Sequence, residues 1–375
     1  MRATDAVAEA RRALEICNAC RYCEGYCAVF PAMELRREFS NADLSYLANL
    51  CHDCRGCFYA CQYAPPHEFN INLPRTFAQL RAETYEEYGW PQPLARLFRH
   101  NGLVVSLVVA AALAVVLLLT TRLQAPNVLY GAHTGVGAFY AVIPYGVMVT
   151  VGVVTFGYAL LALALGYVRF QRDTAASLGR SAGGKAWRRA LGDAAALRYL
   201  SGGGHGCNDR DDSFSGVRRW LHHAMAYGFL SCFAATCVAT IYHHFFGWIA
   251  PYPLLSIPVV LGMLGGIGLL IGTLGLLIVK AVRDPTPGAR EMRGADAALL
   301  VLLALVAATG LALLTLRDGG AMGTLLTIHL ALVLALFVAL PYSKFVHGVY
   351  RLGALVHYAA EASVAGAQGN RSNGE

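Results

Sequence analysis

Charge is what this 375-residue chain has least of. Asp, Glu, Lys and Arg make up 14% of it, against 56% hydrophobic residues. Soluble chains carry about 25% charged residues, so an array of soluble domains is excluded. Met1 to Glu15 is polar and partly acidic and lacks an apolar stretch, so no signal peptide is expected. No glycine-rich stretch ends in Gly-Lys-Ser or Gly-Lys-Thr, which argues against a phosphate-binding loop. No catalytic triad or acid–base pair stands out, so substrate chemistry is expected on a partner chain. The net charge of +7 would suit nucleic acid. The positive residues lie in loops beside apolar runs, however, so a membrane accounts for them and no nucleic-acid partner is expected.

What is present begins with cysteine. Eight of the 11 cysteines fall between Cys17 and Cys61. They form two copies of one run: Cys17, Cys20, Cys23, Cys27, then Cys51, Cys54, Cys57, Cys61. A C-x2-C-x2-C run wraps three thiolates round an iron–sulfur cubane, and in two-cluster proteins the fourth thiolate comes from the other run. The expected sets are therefore Cys17, Cys20, Cys23 and Cys61 for one [4Fe–4S] cluster, and Cys51, Cys54, Cys57 and Cys27 for the other. Zinc sites use two pairs rather than runs of four. Disulfides need an oxidising compartment, which the topology below disfavours. Bacterial ferredoxins carry Pro after the fourth Cys; here Ala28 and Gln62 follow. Between the runs, Leu35, Phe39, Leu44, Leu47 and Leu50 stand near helical spacing with no strand alternation. A helical two-cluster domain is expected.

The chain divides at about residue 100. Residues 1–100 read as a cytoplasmic two-cluster ferredoxin-like domain, with helices over Ala6–Ile16 and Thr76–Tyr88 and a basic approach to the membrane at Leu94–His100. Residues 101–375 read as a cytochrome b-like membrane domain. Six apolar runs are long enough to cross a bilayer: about 103–121, 139–170, 221–249, 254–282, 295–316 and 323–345. The fold class is thus all-α, a ferredoxin-like domain followed by a six-helix bundle. Span 4 carries Gly262, Gly265, Gly266, Gly268, Gly272 and Gly275, which should let it pack closely on a neighbour.

Lysine and arginine set the orientation. The loop at about 169–219 holds ten, from Arg169 to Arg219, and the next loop on that side holds Lys280, Arg283, Arg290 and Arg293. The opposite loops hold Arg122 and Arg317. Both termini and the clusters are expected in the cytoplasm, where a reducing environment suits iron–sulfur chemistry.

Histidines mark both ends of two spans: His222, His223, His243 and His244 on span 3, His329 and His347 on span 6. The spans run in opposite directions, so His347 shares a level with His222 or His223, and His329 with His243 or His244. At 100° per residue, His329 and His347 share a helical face, and His222 or His223 lies within roughly 40–60° of His244. One His from each helix at each level is the ligand set of one or two b-type haems. His223 and His244 are favoured, with His222 and His243 as alternatives.

Other residues carry less. Cys207, Cys232 and Cys237 are expected as free thiols, and His52, His67 and His100 as surface groups. Lys280 and Lys344 read as membrane-edge anchors. Arg218 and Arg219 stand where haem propionates would fall, and the glycine-rich loop Gly202–Cys207 is expected to close over the clusters or the inner haem.

The paired runs, the loop Gly202–Asp209, His222-His223 with Tyr227-Gly228-Phe229, Tyr242-His243-His244 and the stretch Pro341–Gly348 together resemble the tricarballylate utilisation protein B family, also called the citrate utilisation CitB-like family. The similarity covers nearly the whole chain. The cysteine runs are generic to electron carriers; the span 3 and span 6 motifs are more specific. The resemblance implies an iron–sulfur and haem protein of the bacterial inner membrane. It would reoxidise an FAD-containing partner, tricarballylate dehydrogenase, and pass electrons to quinone. Two rivals share the cysteine pattern: a membrane arm of another respiratory oxidoreductase, heterodisulfide-reductase-like or nitrate-reductase-like, and a cluster-bearing redox sensor.

Overall fold

The computed structural model describes residues 4–175 and 182–372. Residues 176–181, with Arg180 of the basic loop, lie outside these, as do 1–3 and 373–375. Among the described residues the fold is all-α, apart from one isolated antiparallel bridge between Cys207 and Ser215.

The N-terminal part contains α1 (Asp5–Cys20), α2 (Val29–Glu34), α3 (Asn41–Leu50), α4 (Gly56–Tyr59), α5 (Leu73–Tyr88) and α6 (Gln92–Leu97). Helix α1 starts where the Thr4 hydroxyl accepts from the Val7 amide, and it buries Val7, Ala10, Ala13 and Leu14 at helical spacing. Helix α3 opens on a Ser40–Asp43 capping box. Asn72 caps α5 by accepting from the Arg75 amide, and Pro74 sits in its first turn, where no amide hydrogen is needed. Leu14, Leu44, Leu47, Phe77 and Leu80 of these helices form the dry core.

Helices α7 (Asn101–Leu123), α10 (Tyr145–Ala175), α12 (Val217–Phe246), α13 (Ile257–Val282), α14 (Arg293–Leu316) and α15 (Met322–Ala339) are long and apolar enough to cross a membrane. Short helices α8 (Pro126–Leu129) and α9 (Ala138–Val142) lie between the first two, and α11 (Gly184–Ala195) lies in the basic loop. The boundaries shift by a few residues, and the two largest shifts fall at proline. The second long helix begins at Tyr145, beyond Pro144, rather than at 139. The sixth stops at Ala339, before Pro341, rather than running to 345. Pro144 is preceded by an extended Ile143 (φ −125°, ψ 114°), and Pro341 has no amide hydrogen to donate to the turn behind it.

The glycines of α13 bring it against α12. A β-carbon on Gly272 would stand 2.4 Å from the Met225 amide nitrogen, and one on Gly265 would stand 2.8 Å from that of Cys232. Gly228 of α12 answers from the other side, where a β-carbon would stand 2.5 Å from the Leu269 nitrogen. Small residues here let two backbones approach closely, which dispersion rewards where lipid offers no hydrophobic drive.

The last helix, α16 (Val346–Ser372), leaves the bundle and returns over the N-terminal part. The His357 ring stacks on Tyr46 with centres 4.0 Å apart, and Glu361 accepts from Arg36 and from the Tyr46 hydroxyl. Helix α11 packs along its other side. Both regions are thus tied to one C-terminal helix.

Candidate electron-transfer site

The two cysteine runs take their shape from backbone reversals. Cys17 and Cys20 sit on the last turn of α1. Arg21 then turns left-handed (φ 55°), its amide closing on the Cys17 carbonyl, and the chain doubles back to Cys23. In the second run Asp53 (φ 56°) and Arg55 (φ 69°) do the same between Cys51 and Cys57. Side-chain-bearing residues adopt this conformation at a cost, so its recurrence marks a backbone held for a purpose.

The reversals bring the thiols together in crossed groups. One cavity is lined by Cys17, Cys20, Cys23 and Cys61, and a second by Cys27, Cys51 and Cys54; Cys57 touches both. Burial pushes the Cys17 and Cys23 thiols up to about 12, and the neighbouring Cys61 is the next cause in each. Burial also drives Cys27 well above the ordinary thiol range, followed by Cys54 and Cys51. Buried thiols that raise one another in this way become thiolates only beside strong positive charge, which is the donor chemistry of an iron–sulfur cluster. Among the described residues no three His, Cys, Asp or Glu converge tightly enough for a single ion. The sulfurs ring a space instead.

The second group is anchored to the membrane bundle. Arg55, fully buried, donates to the Asp284 carbonyl at 2.8 Å, and the Asn208 amide donates to the Cys54 carbonyl at 2.9 Å. Asp53 pairs with Arg218 at 3.6 Å and Arg283 at 4.0 Å. Burial opposes ionisation of Asp53, but the guanidiniums of Arg55 and Arg218 outweigh it and hold the carboxyl below its usual range. The glycine-rich loop lies here: a β-carbon on Gly202 would meet the Phe214 ring at 3.5 Å and the Cys54 sulfur at 4.0 Å, and Cys207 is buried beside Cys54 without joining either group. The first group lies toward water, with the exposed Tyr22 next to it.

Among the histidines, His222 of α12 faces His347 of α16, with ring centres 6.1 Å apart and planes at 79°. His347 Nδ1 is bonded to the Lys344 carbonyl, which leaves Nε2 to ligate. Burial, then Arg351 and His222, holds His347 well below the ordinary histidine range. The Nδ1 of His222 is buried with no partner among the described residues. His223 points elsewhere, toward Trp220 and Tyr227. His52, assigned to the surface by sequence, is buried with its Nδ1 2.8 Å from the Leu50 carbonyl; His222 and His347 are close enough to act on its charge.

The opposite end is arranged differently. His243 stacks on Tyr145 at 4.0 Å, and His244 Nε2 lies 2.8 Å from the Tyr145 hydroxyl. His329 Nδ1 lies 3.0 Å from Thr309 Oγ1, and the ring packs on Gly310. Among the described residues no ring contact joins His329 to His243 or His244. The shared phase of His329 and His347 lapses because the helix breaks at Pro341. Arg218 and Arg219 are engaged within the protein: Arg218 with Asp53 and Asp209, Arg219 with the Ala196 carbonyl at 2.7 Å.

Residues 97–368 match the family model Citrate utilization protein B, and residues 10–87 match the Citrate utilization protein B Fer4-like domain. The Citrate utilization protein B of Escherichia coli is 46% identical over 359 residues, covering 96% of this chain and 93% of that protein. The chain belongs to the citrate utilization protein B family. No solved structure matches it.

In this family member the sequence reading missed Arg351, Asn208 and Asp284, all of which touch the second cysteine run. Arg351 had a legible signal. It lies one helical turn after His347, so the two share a face. Asn208 and Asp284 had none, because the groups they bond, the Cys54 carbonyl for the first and Arg55 and Tyr59 for the second, are far away in sequence.

Proposed function

We propose that this chain is a membrane electron-transfer protein of citrate or tricarballylate utilisation. It accepts electrons from an FAD-containing dehydrogenase and delivers them to quinone. Cys17, Cys20, Cys23 and Cys61 hold one [4Fe–4S] cluster; Cys51, Cys54, Cys57 and Cys27 hold a second. His222 and His347 hold a b-type haem. These groups, when bound, supply one-electron transfer, and the protein sets their order and distance. The water-facing first quartet receives electrons, and the second, packed on the bundle, passes them inward. Residues to about 100 and both termini lie on the cytoplasmic side of a bacterial inner membrane, in keeping with the basic loops.

One observation carries this reading: His222 and His347 stand 6.1 Å apart beside the second quartet. Imidazole nitrogens bind metal at about 2 Å, so two imidazoles on opposite sides of one iron have ring centres about 6 Å apart. Nδ1 is buried without a partner among the described residues in His222 and in His243 alike, so it is the facing His347 ring that singles out His222. This geometry favours one inner haem held by His222, in place of His223, and leaves the outer set of His329, His243 and His244 without a formed pair.

The decisive experiment is a reduced-minus-oxidised optical spectrum of the purified chain, with haem and iron quantified. About one haem and about nine irons per chain, eight of them non-haem, are expected from one histidine pair and two cubanes. Absence of haem would remove the cytochrome part of the proposal. A reporter active only in the periplasm, fused after Glu375, should be silent; a strong signal would reverse the orientation.

A further inference from the structure

A cleft of about 900 Å³ opens where α5 and α6 meet the start of α14 and the turn after α15. That is ample for a small-molecule site. Its inner end is aromatic: Phe98 and Tyr342 stack there with ring centres 4.9 Å apart. Two polar groups converge on it. Among the described residues the Tyr85 hydroxyl is buried with no hydrogen-bond partner, and the Lys344 ammonium stands 6.0 Å from the Tyr85 ring, 3.0 Å from Asp296. A buried hydroxyl without a partner is costly, and in a cleft wall it points to a ligand that completes it.

The inner wall backs onto the second cysteine group. Tyr85 stacks on Tyr350 at 5.7 Å and lies within electrostatic reach of Arg81 and Arg351. Both arginines donate to the Cys51 carbonyl, at 3.4 and 2.9 Å. The cleft also sits at the level where α7 and α14 begin and α15 ends, which is one edge of the bundle. Leu94, Leu97 and Leu103 are exposed along that edge, 37%, 54% and 65% respectively, and offer a path for an apolar tail. The mouth carries Glu9, Glu83 and Glu86. These carboxylates oppose an anionic phosphate headgroup and leave a neutral ring unaffected.

We propose that this cleft binds the ring of a membrane quinone, with the Tyr85 hydroxyl and the Lys344 ammonium donating to its carbonyl oxygens. This rests on the electron-transfer reading above and adds to it the place where electrons leave. The step balances as quinone plus two electrons plus two protons to quinol. A metal centre held by the second quartet would, when reduced, give up one electron at a time and be oxidised, and its re-reduction through the first quartet would supply the second electron. The protons come from water through the acidic mouth, and each carbonyl becomes a hydroxyl with no leaving group.

The test uses the full chain in lipid nanodiscs, reduced stoichiometrically, then mixed with decylubiquinone in a stopped-flow instrument. Tyr85→Phe removes only the unpartnered hydroxyl, so folding should not suffer. It should slow reoxidation about tenfold, the loss of one ligand hydrogen bond, while the cluster resonance and haem absorption stay unchanged. Lys344→Gln should slow it as well. An azido-substituted quinone should label the cleft, on α5 or the start of α14. Unchanged rates in both variants, or a label outside the cleft, overturn the site while the electron-transfer reading stands. A wild-type chain that ferricyanide oxidises and decylubiquinone does not would overturn the quinone part of that reading, and this site with it.

Discussion

Arg351 donates from Nη2 to the Cys51 carbonyl at 2.9 Å, across 300 positions of sequence. It stands one turn after His347 on α16, so a single helix carries a histidine of the facing pair and a clamp on the second thiol group. One helix thus contributes to both sites, with α12 supplying the facing histidine.

Crossed sharing of the fourth thiol is testable at Cys27. Its sulfur lines the second cavity and is raised by Cys54 and Cys51. Cys27→Ser should cost the cluster of Cys51, Cys54 and Cys57 and spare that of its own run. Paramagnetic resonance of the reduced protein separates the two. If the signal of the first run disappears instead, the crossed assignment is wrong.

The facing pair makes adjacent histidines unequal. His222→Ala and His347→Ala should each abolish or convert the haem spectrum, because loss of one axial imidazole opens the iron. His223→Ala and His329→Ala should leave it intact. Haem content per chain, measured by the pyridine haemochrome method, checks all four variants. Haem loss in His223→Ala with retention in His222→Ala would reverse the choice.

Docking of α16 should weaken in acid. Burial alone would raise the Glu361 pKa, but hydrogen bonds from His357 and Arg36 outweigh it and hold the carboxyl below its usual range. A carboxylate lowered on folding stabilises the folded state above its unfolded pKa of about 4.3, and that contribution fades as pH falls through the lower folded value. Glu361→Gln should remove this dependence and destabilise the contact by about 1.5–3 kcal/mol, the loss of one charge-assisted hydrogen bond, since Arg36 keeps Asp43 as its second carboxylate partner. Hydrogen exchange of α16 amides between pH 6 and pH 3.5 would show it. Identical exchange in variant and wild type would mean that the ion pair does not hold the helix.

The α12–α13 contact should tolerate no side chain at Gly272. A β-carbon there meets the Met225 backbone at 2.4 Å, whereas one at Gly262 meets only the Ala235 methyl at 3.7 Å. Gly272→Ala should destabilise the bundle by about 1–3 kcal/mol, as overpacking does, and lower its melting temperature in detergent. Gly262→Ala should be near neutral. Equal melting temperatures would mean that the two helices do not pack as closely as described.

Much of this protein is legible without its structure because the signals are local. Apolar runs long enough to cross a bilayer announce themselves, and so do four cysteines within one turn-and-loop stretch, since both patterns act over neighbouring residues. Level matching of His222 or His223 with His347 needed only span direction. The choice between His222 and His223 was not local: one residue is a 100° rotation, and α12 takes its rotation from glycine contacts with α13. The phase argument for His329 and His347 failed at Pro341, a break visible in sequence whose effect on side-chain direction was not. Arg351, Asn208 and Asp284 reach the second cysteine run from distant segments. No sequence periodicity encodes such contacts, because they exist only once α16 and the interhelical loops have folded back over the cysteines.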